Sequence, residues 1–437
     1  MKILARTEDV KKLKRWGLVG LAAVGVALSG CGGSKDSSSS SSSVRLVNAT
    51  LTHPSLDLVV NASPSITGTA SDTASAYVAP ASGTTTLQVN DTTTGVALTT
   101  VLPTLTGGNH YTLFAYETAG AVKTVVLNED TATPAAGVAQ LRIYNVAGDA
   151  GKLDVYITDP ALPLANAGSP TSLITGVVPF STQYATQSPG TYRVRVTGYG
   201  NKNDLRLDMP ITIAAQQIGT VLLSPAAGGS LLNGSLLIQQ STTYAATRNT
   251  NVRVRLASAV SGANSTVAAS AGSAVIDAGS VAPAFGYYAL VPATSALNIS
   301  VNGASVGAPA TALVAGSDMT LLVYGAPASA VATLLTDDNR PPTDLTTVKL
   351  RLINGVTGSA GALTLTANTS LVASGIARGA ASAYVSVLGS ANPMNLSFTS
   401  SSAPGTFYSN TGNTLNSGSV YTVLLGGDVS APQLLIR

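Results

Sequence analysis

Val44-Arg45-Leu46-Val47-Asn48 sets apolar side chains two residues apart with an arginine between them, and the pattern returns three times. It recurs as Leu141-Arg142-Ile143-Tyr144-Asn145, Val254-Arg255-Leu256-Ala257-Ser258 and Leu350-Arg351-Leu352-Ile353-Asn354. A period of two sends neighbouring side chains to opposite faces of an extended strand. The arginines are 97, 113 and 96 residues apart, close to the ~100 residues of one sandwich domain. The stretch therefore reads as the opening strand of a repeated β unit.

Three further landmarks follow it in constant order. A second strand is clearest as Leu56-Asp57-Leu58-Val59-Val60 and Leu153-Asp154-Val155-Tyr156-Ile157. A tyrosine comes next in each unit, at Tyr77, Tyr184, Tyr288 and Tyr384. A closing strand then begins near Tyr111-Thr-Leu, Ile218-Gly-Thr-Val, Met319-Thr-Leu and Tyr421-Thr-Val. With 43 glycines and 21 prolines spread along the chain, no segment after Leu28 carries a capped helical stripe. The expectation is an all-β chain: a tandem array of about four immunoglobulin-like or similar Greek-key β-sandwiches of about seven strands each. Their bounds fall at 44–134, 138–245, 250–342 and 346–437, the third being the most divergent.

These landmarks resemble the domain-of-unknown-function 4397 family, whose pattern opens V-R-[LIV]-[VI]-[HN]-[AG], continues as L-D-[VL]-Y-[VI] and closes on G-x-x-Y-T-[VL]. The first two units match best and the third least. The family's opening strand usually bears histidine where this chain has Asn48, Asn145, Ser258 and Asn354, so any role of that histidine does not carry over. The resemblance implies β-sandwiches in exported, often lipid-anchored proteins, and it brings no catalytic residues.

Ahead of the repeats, residues 1–30 hold Lys2, Arg6, Lys11, Lys12, Lys14 and Arg15 followed by an apolar run from Trp16 to Leu28. Thirteen helical residues rise only about 20 Å, short of the ~30 Å hydrocarbon core, so the run fits a signal segment better than a span. Leu28-Ser29-Gly30-Cys31 resembles a bacterial lipobox. That resemblance implies cleavage between Gly30 and Cys31 and a covalent lipid, with palmitate-type acyl chains, on Cys31. Two or three acyl chains anchor a protein stably where one does not. Gly32 stands where aspartate would resemble an inner-membrane retention signal, which points to the outer membrane of a Gram-negative cell envelope. Residues 31–43, rich in glycine and serine, read as a flexible linker.

Residues 1–30 also carry six of the 23 basic and two of the 20 acidic residues. The remainder is 17 basic against 18 acidic, so the sequence pI of about 8.9 belongs largely to the leader. No electrostatic case for nucleic acid survives. Cys31 is the single cysteine, which leaves no disulfide and no thiolate metal site.

Catalytic chemistry finds little to work with. Charged residues are 10% of the chain, against about 25% in an average soluble domain. Only His53 and His110 are present, and neither spacing nor neighbours suggest a metal pair. Gly303-Ala304-Ser305-Val306-Gly307 fits the nucleophile-elbow pattern, but no histidine follows it in the chain. Glu129-Asp130 and Asp337-Asp338 sit at matching places just before Pro134 and Pro341-Pro342. They read as solvated linker charges, or as weak calcium candidates at a domain joint. No cofactor beyond the lipid on Cys31 is expected.

The reading is a non-enzymatic, lipid-anchored envelope array serving structure, adhesion or scaffolding, with an envelope protein or glycan as partner. The alternative is a small-ligand or glycan-binding module using loop aromatics such as Tyr199, Tyr287 or Tyr408. An envelope hydrolase is disfavoured. Clustering of such tyrosines with carboxylates in one concavity would favour the binding module.

Overall fold

A computed structural model describes residues 40–174, 178–358, 361–389 and 393–437. Gly30, Cys31, Gly32 and the linker up to Ser39 lie outside the described residues. Residues Ser40–Arg437 form one compact unit. Among the described residues no helix is long and apolar enough to cross a membrane.

The described chain is all-β, and each repeat folds as two sheets with Greek-key connections. Both are four-stranded in the first and fourth repeats, the opening sheet having six strands in the second and five in the third. In the first repeat one sheet runs Ala121–Asn128, His110–Thr118, Ser43–Ala49, Thr73–Ala74. The other runs Ser63–Ala70, Ser55–Val60, Leu87–Asp91, Ala97–Val101. The short strand Thr73–Ala74, paired with Val47 and Asn48, is the eighth strand of these two sheets where seven were expected, and a separate two-stranded ladder joins Gly83–Thr84 to Thr104–Leu105. The later repeats keep the same central order. The free edge of the opening strand carries two short strands in the second repeat (Phe180–Ser181, Ala185–Gln187) and in the third (Ala284–Phe285, Ala289–Pro292), and the second adds Tyr244–Thr247 at the far edge.

One feature is constant. The opening strand lies parallel to the closing strand, and every other named pair is antiparallel. The registers are equivalent: Arg45 faces Thr112, Arg142 faces Thr220, Arg255 faces Thr320 and Arg351 faces Thr422.

The two sheets of a repeat differ in burial. Outer-sheet strands such as Leu87–Asp91 and Met394–Ser400 alternate between buried and half-buried, as a sheet with one wet face should. Several opening-sheet strands are buried on both faces, as in all eight residues of Ile218–Pro225 and all but the first of Ser43–Ala49, whereas Ala139–Asn145 alternates. One face packs in its own sandwich, where Val44, Leu46, Tyr111 and Leu113 join Leu56, Leu58 and Val89. The other meets the neighbouring repeat. Val47, Phe114, Tyr116, Val125 and Leu127 of the first repeat pack on Val146, Leu222 and Leu237 of the second. Ala257, Ala259, Phe285 and Leu322 of the third pack on Ile353 and Leu424 of the fourth.

The repeats therefore associate in face-to-face pairs, first with second and third with fourth, and not as a string of independent beads. The cause is the second apolar face of the opening sheet. At about 1.5–3 kcal/mol for each fully buried Leu, Ile, Val or Phe, leaving it in water would be strongly unfavourable. Close approach has a steric requirement too: a Cβ on Gly355 would lie 2.4 Å from the Ala259 Cβ.

Candidate functional site

The arginine of every opening strand sits on the face turned toward the neighbouring repeat, next to the closing-strand threonine. Its Nε donates to that hydroxyl: Arg45 to Thr112 at 2.8 Å, Arg142 to Thr220 at 3.0 Å, Arg255 to Thr320 at 3.0 Å and Arg351 to Thr422 at 3.2 Å. The tyrosine picked out in each repeat stacks against the same guanidinium, at 4.9 Å for Tyr77, 4.7 Å for Tyr184, 4.6 Å for Tyr288 and 4.8 Å for Tyr384. The recurring arginine, tyrosine and threonine are thus one structural element. A desolvated guanidinium over an aromatic face gains about 2 kcal/mol, which offsets part of its burial.

The acids complete these clusters. Glu129 is buried and accepts from Arg45 Nη2 at 2.8 Å, from the Tyr77 hydroxyl at 3.0 Å, from Thr112, and from the Gln240 backbone N–H at 2.6 Å. Arg45 also donates to the Ser241 and Ile238 carbonyls of the second repeat. Asp337 lies between two guanidiniums, Arg255 at 3.2 Å and Arg351, and accepts from Thr320 at 2.7 Å and from Tyr288. Burial, then the charge of the neighbouring acid, pushes the Tyr77 and Tyr288 hydroxyls well above the usual phenol range. Both stay protonated and serve as donors.

Glu129 and Asp337 are therefore not solvated linker charges, because a burial this complete requires a partner and the arginines supply it. Asp130 takes the His110 backbone N–H at 2.7 Å and its ring at 3.2 Å. Asp338 pairs with Arg340 at 2.6 Å and Lys349 at 2.7 Å. The cation at each junction is a side chain of the protein. Among the described residues no three His, Cys, Asp or Glu side chains gather as a metal site.

The histidines are similarly engaged. His53 Nδ1 lies 2.8 Å from Asp91 and its Nε2 lies 3.8 Å from Glu117, so both ring nitrogens face carboxylates and neither addresses a nucleophile. The hydrogen bond from His53 holds Asp91 at about 2. Ser305 lies exposed on the edge strand Ala304–Val306, after a tight turn at Asn302 and Gly303, whose φ values are 51° and 80°. That is a hairpin and not a strand-to-helix elbow. Asn48 and Asn354, where the family pattern tends to histidine, accept from Thr50 and Val356 backbone N–H groups and donate to carbonyls leading toward the outer sheet.

A different place offers an open site. Between the second and third repeats, Asn201, Asn203, Asp204, Arg253, Tyr287 and Leu290 line a concavity of about 360 Å³. The hairpin strand Asn201–Ile213 supplies the amides and Asp204, and the third repeat supplies the arginine and tyrosine. Tyr287 is 78% exposed, with the Arg437 guanidinium 4.9 Å from its ring. Arg253 links Asp204 at 3.6 Å to buried Asp318 at 3.3 Å, and stacks on Tyr288 at 4.5 Å. Burial raises the Asp318 pKa against the opposing charge of Arg253.

Of the three loop tyrosines named from sequence, Tyr287 alone lines this concavity. Tyr199 is exposed on the turn before Asn201, and Tyr408 packs on Phe398 at 5.8 Å. A larger dip of about 520 Å³ lies over the outer sheet of the third repeat, lined mainly by alanine, serine and Asn298, with no aromatic side chain. Sequence reading missed the four threonines, Arg253, Asp204 and the two asparagines. The threonines were detectable, since one occupies the same place in every closing motif.

Fold and site together define an all-β protein of paired sandwiches with a polar, aromatic-rimmed cleft. Residues 42–156 match the family model described as Domain of unknown function (DUF4397), which bears out the resemblance read from the repeats. No curated protein matches the chain. Among solved structures, a candidate cell adhesion protein from Bacteroides uniformis is 12% identical, covering 46% of this chain and 97% of that one at a TM-score of 0.21. The family-26 carbohydrate-binding module CBMbc of Eubacterium rectale, in complex with maltoheptaose, is 12% identical, covering 47% and 97% at 0.17. The TIE protein of Bacillus anthracis is 9% identical, covering 90% and 69% at 0.15. Scores this low carry no functional weight.

Proposed function

We propose that the protein is a non-catalytic adhesive or scaffolding body, tethered to the outer membrane of a bacterial envelope by a lipid on Cys31. The observation that carries this reading is how the ionisable side chains are used. Arg45, Glu129, Arg255, Asp337 and Arg351 are buried in the joints between repeats, and His53 is closed between two acids. General acid–base or nucleophilic chemistry needs such groups free in a pocket. What remains is a rigid body of low charge, suited to contact over surfaces.

In this reading cleavage falls between Gly30 and Cys31, Gly32 directs the product to the outer membrane, and a linker holds the sandwiches clear of the headgroups. That linker ends before Ser41 and not at residue 43 as expected, because Ser41 pairs with Ala81, Ser42 is buried and Ser43 opens the first strand. Fractionation of the expressed full-length chain and of Cys31→Ala tests the anchor. The native chain should pellet with membranes through a high-salt wash, and the variant should move to the soluble fraction. Retention of Cys31→Ala in the membrane pellet would end the proposal.

A further inference from the structure

We infer that the cleft between the second and third repeats binds a neutral carbohydrate, with the Tyr287 ring as its platform. This rests on the reading of the protein as a non-catalytic binding body and names the ligand class for one site on it.

Four features converge. An aromatic side chain 78% exposed in a concavity offers a flat apolar face, and Arg437 against the ring holds it in place before any ligand arrives. Asn201 and Asn203 supply donors and acceptors on one side chain each, the complement of hydroxyl groups, which are also both. Among the described residues the Asn203 amide and the Tyr287 hydroxyl have no hydrogen-bond partner. The charges in the cleft already neutralise one another: Asp204 pairs with Arg206 at 2.7 Å and with Arg253, which also reaches Asp318. A strongly charged ligand would have to break those pairs, whereas a polyol can add hydrogen bonds to them.

Size and rim fit the same class. A volume of about 360 Å³ is at the small end of ligand sites, room for one or two sugar rings. Leu205 and Leu290 flank the polar groups, so the cleft presents apolar and polar strips side by side. A pyranose has the same division, C–H groups on its face and hydroxyls on its rim.

Saturation-transfer NMR on the full-length chain in detergent, with cellohexaose, maltohexaose, chitohexaose and mannohexaose in turn, tests the inference. At least one sugar should give a signal at up to about 10 mM, enough to reveal a Kd of about 1 mM. Tyr287→Ala should weaken that binding about tenfold and Asn203→Ala about threefold, because stacking and hydrogen bonding act together. Tyr408→Ala, on another repeat, should leave it unchanged. No signal with any of the four, or binding that survives Tyr287→Ala intact, would overturn the site. Fractionation of Cys31→Ala reads the anchor independently, so the two proposals fail separately.

Discussion

The junction between the first and second repeats and the junction between the third and fourth are built from the same parts and wired differently. Each holds two opening-strand arginines and one buried acid. In the first pair Glu129 serves Arg45 alone, and the second repeat answers with backbone: the carbonyls of Ser241 and Ile238, and the N–H of Gln240. Arg142 keeps to its own threonine and tyrosines and is half-buried. In the second pair Asp337 bridges Arg255 and Arg351, and the arginines cross over, Arg255 donating to Thr422 at 2.9 Å and Arg351 to Thr320 at 3.3 Å. One carboxylate thus compensates two buried guanidiniums in the second pair and one in the first. The same repeat can make a local joint or a reciprocal one, depending on where a single acid points.

The comparison breaks most sharply at Asp337. Replacing it by alanine leaves two guanidiniums buried without a counter-charge, and the third–fourth pair should lose about 3–5 kcal/mol. Hydrogen exchange in Asn251–Val260 and Thr347–Asn354 would report it, and protection within about 1 kcal/mol of native would refute the bridging role.

Glu129→Ala should be milder, about 2–3 kcal/mol, since Arg45 retains two carbonyls from the neighbouring repeat. Exchange in Ser43–Ala49 should rise while the third–fourth pair is unaffected. A loss equal to that of Asp337→Ala would show that the two junctions are equivalent after all.

The smallest effect is a dependence on acid. Burial acts to raise the Asp338 pKa, but hydrogen bonds from Arg340 and Lys349 outweigh it and hold the group below its ordinary value. A depressed carboxylate contributes stability that is present above its unfolded pKa and lost as pH falls through the folded one. Unfolding followed below about pH 4 should therefore be less pH-sensitive in Asp338→Asn than in the native chain. Identical acid limbs in the two proteins would exclude this contribution.

Much of this architecture was legible beforehand. Strand alternation and the opening and closing motifs follow from local pattern, because side-chain direction in a strand is set by position alone. The roles of Glu129 and Asp337 were not legible. An Asp or Glu just past a strand looks solvated whether it faces water or the flank of another domain, and the deciding arginine lies 84 residues away for Glu129. The cleft was half legible: Tyr287 was picked out as a loop aromatic, yet its companions Asn201, Asn203 and Asp204 come from a different repeat and carry no motif of their own.

Sequence by itself determined the all-β repeats, the arginine in each opening strand and the scarcity of ionisable residues, all of which reside in composition and period. Tertiary structure alone decided that the sandwiches join in pairs, that each arginine meets a threonine and a tyrosine, and that Tyr287 and Asn203 line one cleft. The reason is physical. Burial of the opening sheet's second face and compensation of a buried charge are properties of two surfaces in contact, and neither surface specifies the other until both have folded.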